Sequence, residues 1–215
     1  MRAVVYHADA HWAWGGKVGD EYRILFDQFR DHCHKNKMEL IHLTVDGHPG
    51  WGDVNIWYPG LDPKNIMANR EECFSQFIKD AAHDVYWFTE PDYRISRMWP
   101  DLEADCALLY RHGDSVPMCP AWRLATPEAA GLFKEFRDAI YKVEIRPGVG
   151  LDWHCDSAAF TATWERMGGP QGGIIEYAGI KIEFRDYSDY IKGRCTYGRN
   201  YLGKSKKELL NGGNI

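Results

Sequence analysis

The sequence predicts an α/β domain built on a mixed, mostly parallel sheet with helices on both faces. Three observations carry this. Strand-like and helix-like runs alternate from the first residues, beginning strand, helix, strand, which reads as a parallel crossover unit. Residues 84–89 (Asp-Val-Tyr-Trp-Phe-Thr) form a nearly continuous apolar run, the pattern of a strand covered on both faces. The chain has 215 residues, 45% of them apolar and 14% aromatic, so it can bury a large core without disulfide staples.

The elements follow in order. Residues 2–7 read as a first strand, and Trp12-Ala13-Trp14-Gly15-Gly16 as a loop by its glycines. From Asp20, an expected N-cap, the apolar residues Tyr22, Leu25, Phe26, Phe29 and Cys33 line one helical face. Residues 39–44 are a second strand, and 45–53 a loop rich in Gly, Pro and Asp. A short strand over 54–58 closes at Pro59-Gly60, and a helix follows from about 63 to 82. Beyond the apolar strand 84–89, another strand covers 104–111. Thr126-Pro127-Glu128 opens a helix that continues through Ile140, with Thr as N-cap and Pro in the first turn. A short helix runs from Asp156 to Gly168-Gly169, two strands cover 173–177 and 180–184, and a basic tail ends the chain. No linker interrupts this order, so residues 1–215 are expected to form one domain, with 185–215 as a basic C-terminal segment closing over the site.

Composition narrows the class. Net charge of −5 with high aromatic content excludes disorder as the main state and disfavours bulk nucleic-acid binding. No run approaches the eighteen or so apolar residues of a membrane span, and the opening residues show no signal-peptide core. A cytoplasmic protein is expected. The six cysteines have no C-x-x-C spacing and read as free, mostly buried thiols.

The chemistry concentrates where the apolar strand ends, at Glu90-Pro91-Asp92. Open α/β sheets bind ligands beyond the carboxyl ends of their strands. Two acids so close repel one another unless a cation sits beside them. A hard divalent ion such as Mg²⁺ or Mn²⁺ suits them and normally also holds substrate phosphates. The plain alternative for an acid-x-acid pair is a solvated turn; the buried strand delivering it favours the metal.

This segment resembles the DxD motif of nucleotide-sugar-dependent glycosyltransferases of the GT-A fold. The first strand, ending His7-Ala8-Asp9, is similar to the strand whose end cradles the nucleotide in that family, and Asn69 and Arg70 lie on the helix before the motif. Trp153-His154-Cys155-Asp156 resembles the family's acidic helix start. Asn200-Tyr201-Leu202-Gly203-Lys204-Ser205-Lys206 is similar to its His-x-x-Gly-x-x-Lys segment, which binds metal and diphosphate. Two departures stand out: Glu90 replaces the first Asp, and Asn200 replaces the metal-binding His. The short chain is similar to small, phage-encoded members, for which the compartment is the host cytoplasm.

The resemblance implies a GT-A-like fold and transfer of a sugar from a nucleotide diphosphate sugar, a UDP-sugar by expectation, with Mn²⁺ or Mg²⁺ as cofactor. It implies Asp92, Glu90 and Asn200 at the metal, and His7, Asp9, Arg70, Lys204 and Lys206 at the nucleotide and sugar. Asp156, then Asp152, would meet the oxocarbenium-like transition state, and Trp12, Trp14 and Trp153 would stack on sugar or acceptor. Each has a duller reading beside it. Asp9 is equally suited to capping its own turn, Arg70 to pairing with neighbouring acids, the tryptophans to core packing, His154 to a structural hydrogen bond, and the basic tail to solvation. His32, Cys33 and His34 suggest a metal cluster, but i and i+2 do not share a helix face, so exposure is expected. Acceptors left open are a modified DNA base, suggested by the basic tail, and glycans, proteins or small molecules. A sugar nucleotidyltransferase is the enzyme rival, for which Gly15-Gly16-Lys17 is only a partial signature. A non-catalytic carbohydrate-binding module is the non-enzymatic one.

Overall fold

A computed structural model describes residues 1–7, 19–46, 50–61, 66–95, 101–110, 123–143, 154–168, 173–186, 194–195, 198–200, 207–208 and 210–211, with backbone alone described for 19–22, 109–110, 154–158, 186, 194–195 and 198–200. Its main element is an eight-stranded sheet. The strands are β1 (Arg2–Tyr6), β2 (Glu39–Thr44), β3 (Val54–Trp57), β4 (Tyr86–Thr89), β6 (Cys106–Tyr110), β7 (Arg123–Ala125), β8 (Gly173–Tyr177) and β9 (Ile180–Asp186). Their order is β3-β2-β1-β4-β7-β6-β9-β8. The pairs β1–β2, β1–β4, β2–β3 and β6–β9 are parallel, while β4–β7, β6–β7 and β8–β9 are antiparallel. Following these senses across the sheet, β1, β2, β3, β4, β6 and β9 all direct their carboxyl ends to one edge. A smaller sheet, β10 (Arg194–Cys195), β11 (Gly198–Asn200) and β5 (Tyr93–Ile95), has the order β10-β11-β5.

Helices cover both faces, as the sequence predicts. The side-chain alternation of a strand sorts its residues between two cores. Val4, Tyr6, Ile41, Leu43, Tyr86 and Phe88 face α2 (Ile66–Asp80), α3 (Ala130–Lys142) and α4 (His154–Arg166). Ala3, Val5, Leu40 and Trp87 face α1 (Gly19–Lys35) and β5. Phenylalanines dominate the first face: Phe74 of α2, Phe88 of β4 and Phe133 of α3 pack with centroids 4.7 to 5.9 Å apart. Burying each such ring stabilises the fold by about 1.5–3 kcal/mol.

The helix boundaries depart from expectation in small ways. α1 begins at Gly19, one residue before the expected cap. A single 3-10 turn, Pro127–Ala129, precedes α3, and the Thr126 side chain makes no cap bond. Its hydroxyl instead donates to Glu128 Oε2 at 2.5 Å, and its backbone N–H donates to the Asp105 carbonyl at 2.8 Å, tying the turn to the approach to β6. His32 also differs from expectation. It is half-buried, and its Nε2 accepts the Ile95 backbone N–H at 2.9 Å, joining α1 to β5. His34, the other histidine of that trio, is exposed and bonds Asp53 at 2.9 Å. Cys33, Cys73 and Cys106 are free and buried, and burial pushes the Cys33 and Cys106 thiols up to about 12.

Candidate functional site

β4 lies near the centre of the large sheet, and the chain leaves it through a tight turn in which the Tyr93 N–H donates to the Glu90 carbonyl at 3.1 Å. Glu90 and Asp92 therefore stand at the shared carboxyl edge, where a ligand is expected. The turn is braced from the α1 side by Arg94, whose Nη1 donates to the carbonyls of Pro91 at 2.7 Å and Tyr93 at 2.8 Å. The same guanidinium lies 5.5 Å from the centre of the Phe29 ring. Tyr93 is fully buried and meets Trp87 edge-on, so the residue after Asp92 is pinned in the core.

From the opposite face α2 reaches the same turn. Arg70 Nη1 lies 3.4 Å from Glu90 Oε1, and its Nε donates to Glu71 Oε1 at 3.1 Å. Glu71 in turn accepts two bonds from Arg123 Nη2, at 2.7 and 2.9 Å. The result is an ordered run of alternating charge, Arg123, Glu71, Arg70, Glu90. It starts in the interior, where the Glu71 side chain is 0% exposed and that of Arg123 1%, and ends at Glu90, 24% exposed. Burial lowers the Arg123 pKa, and Glu71 works against that shift by attraction and hydrogen bonding. Rings of Phe74, Phe133, Phe136 and Phe160 lie 4.5 to 5.5 Å from the Arg123 guanidinium, adding cation–π contact to the ion pair. Beside this run lies the buried Tyr6 hydroxyl, whose pKa burial raises well above its ordinary value.

Other expected site residues fall as follows. Asp92 is 4% exposed, within the turn. Asn200, described in its backbone only, stands opposite Tyr93 in the β11–β5 register, so β11 pairs with the strand that follows the acid turn. Asp156 is on the first turns of α4, the helix whose Phe160 touches Arg123; its side chain and that of His154 lie outside the described residues. Asp9, Trp12, Trp14, Asp152, Trp153, Lys204 and Lys206 also lie outside them. His7 is buried at the end of β1, stacked on Trp51 with centroids 5.0 Å apart, within a cluster that includes Phe26 and His42. Arg70 is buried as well, and its acidic neighbours include Glu71 and Glu90.

The donor set suits a hard cation that brings its own ligands. Among the described residues no group of three or more His, Cys, Asp and Glu could hold a metal. Glu90 and Asp92 are the described carboxylates of the turn, and the backbone of Asn200 pairs with Tyr93 beside it. Mg²⁺-type ions are typically held by one or two carboxylates and completed by water and phosphate oxygens, so this set fits a nucleotide-bound cation better than a closed protein cage.

No protein-family model matches the chain, and no curated protein matches its sequence. Solved structures do match. The crystal structure of a glycosyltransferase involved in the glycosylation of the major capsid of PBCV-1 aligns over 100% of both chains, with a TM-score of 0.52 and 7% identity. The chain has the fold of that glycosyltransferase. Looser overlaps are found with the galactosyltransferase LgtC in complex with donor and acceptor sugar analogues (TM-score 0.38, 10% identity, 64% of this chain and 60% of that one) and with a putative nucleotide-diphospho-sugar transferase from Desulfovibrio desulfuricans G20 (TM-score 0.41, 11% identity, 86% and 80%). The full-length overlap bears out the GT-A-like fold that the resemblance implies.

Glu71, Arg123 and Arg94 were not visible as site residues in the sequence. One signal pointed to Arg123: it sits in the otherwise apolar stretch Ala121-Trp122-Arg123-Leu124-Ala125, where an arginine requires a buried counter-ion. The counter-ion is Glu71, 52 residues away, and no spacing rule links the two.

Proposed function

We propose that the protein transfers a sugar from a nucleotide diphosphate sugar to an acceptor, with Mn²⁺ or Mg²⁺ held at Asp92 and Glu90. One observation carries this reading: an acid-x-acid turn stands at the carboxyl end of a central strand, in a fold shared with a glycosyltransferase over the whole chain. Asp92, the second acid of the turn, is the principal carboxylate, and Glu90, which Arg70 approaches at 3.4 Å, is the second. A divalent ion bound there supplies Lewis-acid stabilisation of the charge that builds on a departing diphosphate. The chain's own part is to fix the two carboxylates in a turn clamped by Arg94 and Arg70, so that their orientation is set before the donor arrives. Asp156, carried by α4, is the first candidate to face the sugar, and Asp152 the second. Lys204 and Lys206 are candidates for the phosphates.

The test is incubation with a panel of sugar nucleotides, with and without Mn²⁺, following donor hydrolysis and then transfer. Transfer is tried to a hydroxymethylated DNA base and, because the neighbour of like fold acts in capsid glycosylation, to protein. Metal-dependent turnover of one donor is expected. Asp92→Asn should lower it by at least about a hundredfold, the scale of losing one preorganised electrostatic group. Full activity in that variant refutes the assignment.

A further inference from the structure

β3 is the outermost strand at one end of the large sheet, and it runs parallel to β2. Its last residue, Trp57, paired with Thr44, therefore stands on the same carboxyl edge as the acid turn. The turn leaves β4, three strands away, which at 4.7–4.9 Å per strand is about 14 Å. Trp57 is 58% exposed, whereas Trp87 and Trp164 are buried and Trp51 is half-buried. The ring is nevertheless held. Its Nε1 donates to the Val45 carbonyl at 3.2 Å, and the Tyr58 N–H continues the ladder by donating to the Thr44 carbonyl at 2.8 Å. An indole has one polar group, and here the protein itself satisfies it. What remains is an exposed apolar ring on an ordered strand end. In the turn that follows, a Cβ at Gly60 would meet nothing within 4 Å, so that turn borders open space.

Size limits what can sit on this ring. The other exposed large apolar residues are Ile24 on α1, Tyr141 on α3, Ile174 on β8, and Val54, which begins β3 on its opposite face. One ring falls far short of the roughly 1,200–2,000 Å² that a stable protein interface buries, but it matches a single ring of a ligand. A nucleobase is read through donors and acceptors at its edge. Asn55, two residues earlier on the same face as Trp57, has both ends of its amide committed to Gly52, at 2.9 and 3.0 Å. A pyranose needs no such readout: it buries its C–H face on an indole while its hydroxyls stay in water.

We propose that Trp57 is a glycan-binding platform, separate from the acid turn, on which one pyranose ring of a saccharide chain stacks. It needs neither donor nor cation. A chain of several rings held there can extend along the carboxyl edge toward Asp92, giving the candidate transferase a grip on a glycan acceptor. That last step alone rests on the reading of the turn as a donor site.

The test is native affinity electrophoresis in gels containing soluble α-glucan, β-glucan, mannan, galactan or xylan, without donor or metal. At least one should retard the protein. Trp57→Ala should raise the dissociation constant at least about tenfold, and Trp57→Phe, which keeps a smaller ring, about threefold. Retardation by none of the five, or equal retardation of parent and Trp57→Ala, overturns the proposal. The same proteins are titrated with UDP and Mn²⁺ by calorimetry and sedimented alone. A loss in Trp57→Ala confined to UDP assigns the ring to a nucleobase, and a parent dimer that becomes a monomer in Trp57→Ala assigns it to a second copy; either overturns the proposal. Absence of UDP binding to the parent overturns the donor-site reading instead and leaves the platform standing. Far-ultraviolet circular dichroism checks the fold of each variant. If Trp57→Ala does not fold, because the Val45 bond is lost with the indole, the threefold effect of Trp57→Phe decides, and its absence overturns the proposal.

Discussion

The two faces of the large sheet bury polar groups by different means. On the α2–α3–α4 face the interior holds full charges, Arg123, Glu71 and Arg70, matched in sign and bonded to one another. On the α1 face the described polar groups include imidazoles and an indole: His7, His42 and Trp51 stack together, and His42 Nδ1 accepts the Trp51 backbone N–H at 3.1 Å. His32 completes this side by holding β5. Paired permanent charges are insensitive to pH across the physiological range but intolerant of losing one member. An imidazole nitrogen that accepts a backbone N–H, as in His42 and His32, does so only while it carries no proton. Each face braces one side of the acid turn, so the two modes of failure reach the same site by different routes.

The largest effect is expected from breaking the charged face. Glu71→Ala leaves Arg123 in its phenylalanine box without either Glu71 bond and takes one carboxylate from Arg70. Breaking a buried pair by removing one partner costs about 3–5 kcal/mol. Urea unfolding of this variant should show a midpoint far below that of the parent, whereas Glu71→Gln with Arg123→Met together should recover most of the loss. Similar midpoints for the single and paired variants would show that the two faces do not differ in this respect.

The α1 face should respond to pH instead. His32 has its pKa lowered to about 4, first by burial and then by the neighbouring Arg94 and Lys35, and its neutral Nε2 is the acceptor for Ile95. An unfolded histidine titrates near 6.5. Between these values the unfolded chain binds more protons than the folded one, so stability falls as pH drops from about 6.5 to about 4 and changes no further below that from this group. Allowing for its partial exposure, the loss is about 2 kcal/mol. Thermal unfolding as a function of pH should show this acid limb, and His32→Gln, whose carbonyl can still accept the Ile95 N–H, should flatten it. An unchanged limb would move the cause to the carboxylates.

Sequence and structure agree best where one period governs a long segment. α1, β2 and α2 are legible from apolar residues recurring along the element, and β1 and β4 from short unbroken apolar runs. The acid turn is legible because it follows a run too apolar to be anything but a central strand. β5, β7, β10 and β11 are two or three residues long, too short for any period, and their existence depends on partners distant in sequence. The site divides in the same way. Glu90 and Asp92 announce themselves locally, but Arg70, expected at the nucleotide or paired with neighbouring acids, belongs to a run of four polar residues, Asn69 to Glu72, whose burial no local pattern shows. All four are in fact buried, since α2 is covered on every side over residues 66–75. A helical periodicity shows which face meets one neighbour; it cannot show that the opposite face meets another.

The smallest expected effect sharpens the comparison at the backbone. On the α1 face the segment before β3 crosses the strand edge so closely that a Cβ at Gly52 would sit 2.8 Å from the carbonyl oxygens of both Leu40 and Val54. Backbone cannot move aside cheaply, so Gly52→Ala must displace the segment that bears Trp51, and with it the stack on His7 and the bond to His42. On the other face Gly131 of α3 has open space: its nearest neighbour would be the Ile180 Cδ1 at 3.7 Å, an ordinary contact. Alanine there fills no forbidden volume and gains helix propensity, about 0.5–1 kcal/mol in favour of folding. Gly52→Ala should therefore lower stability by about 1–2 kcal/mol, within the usual range for overpacking, while Gly131→Ala raises it slightly. Paired denaturation curves check the opposite signs, and tryptophan fluorescence should shift for the first variant alone, because only that one moves an indole.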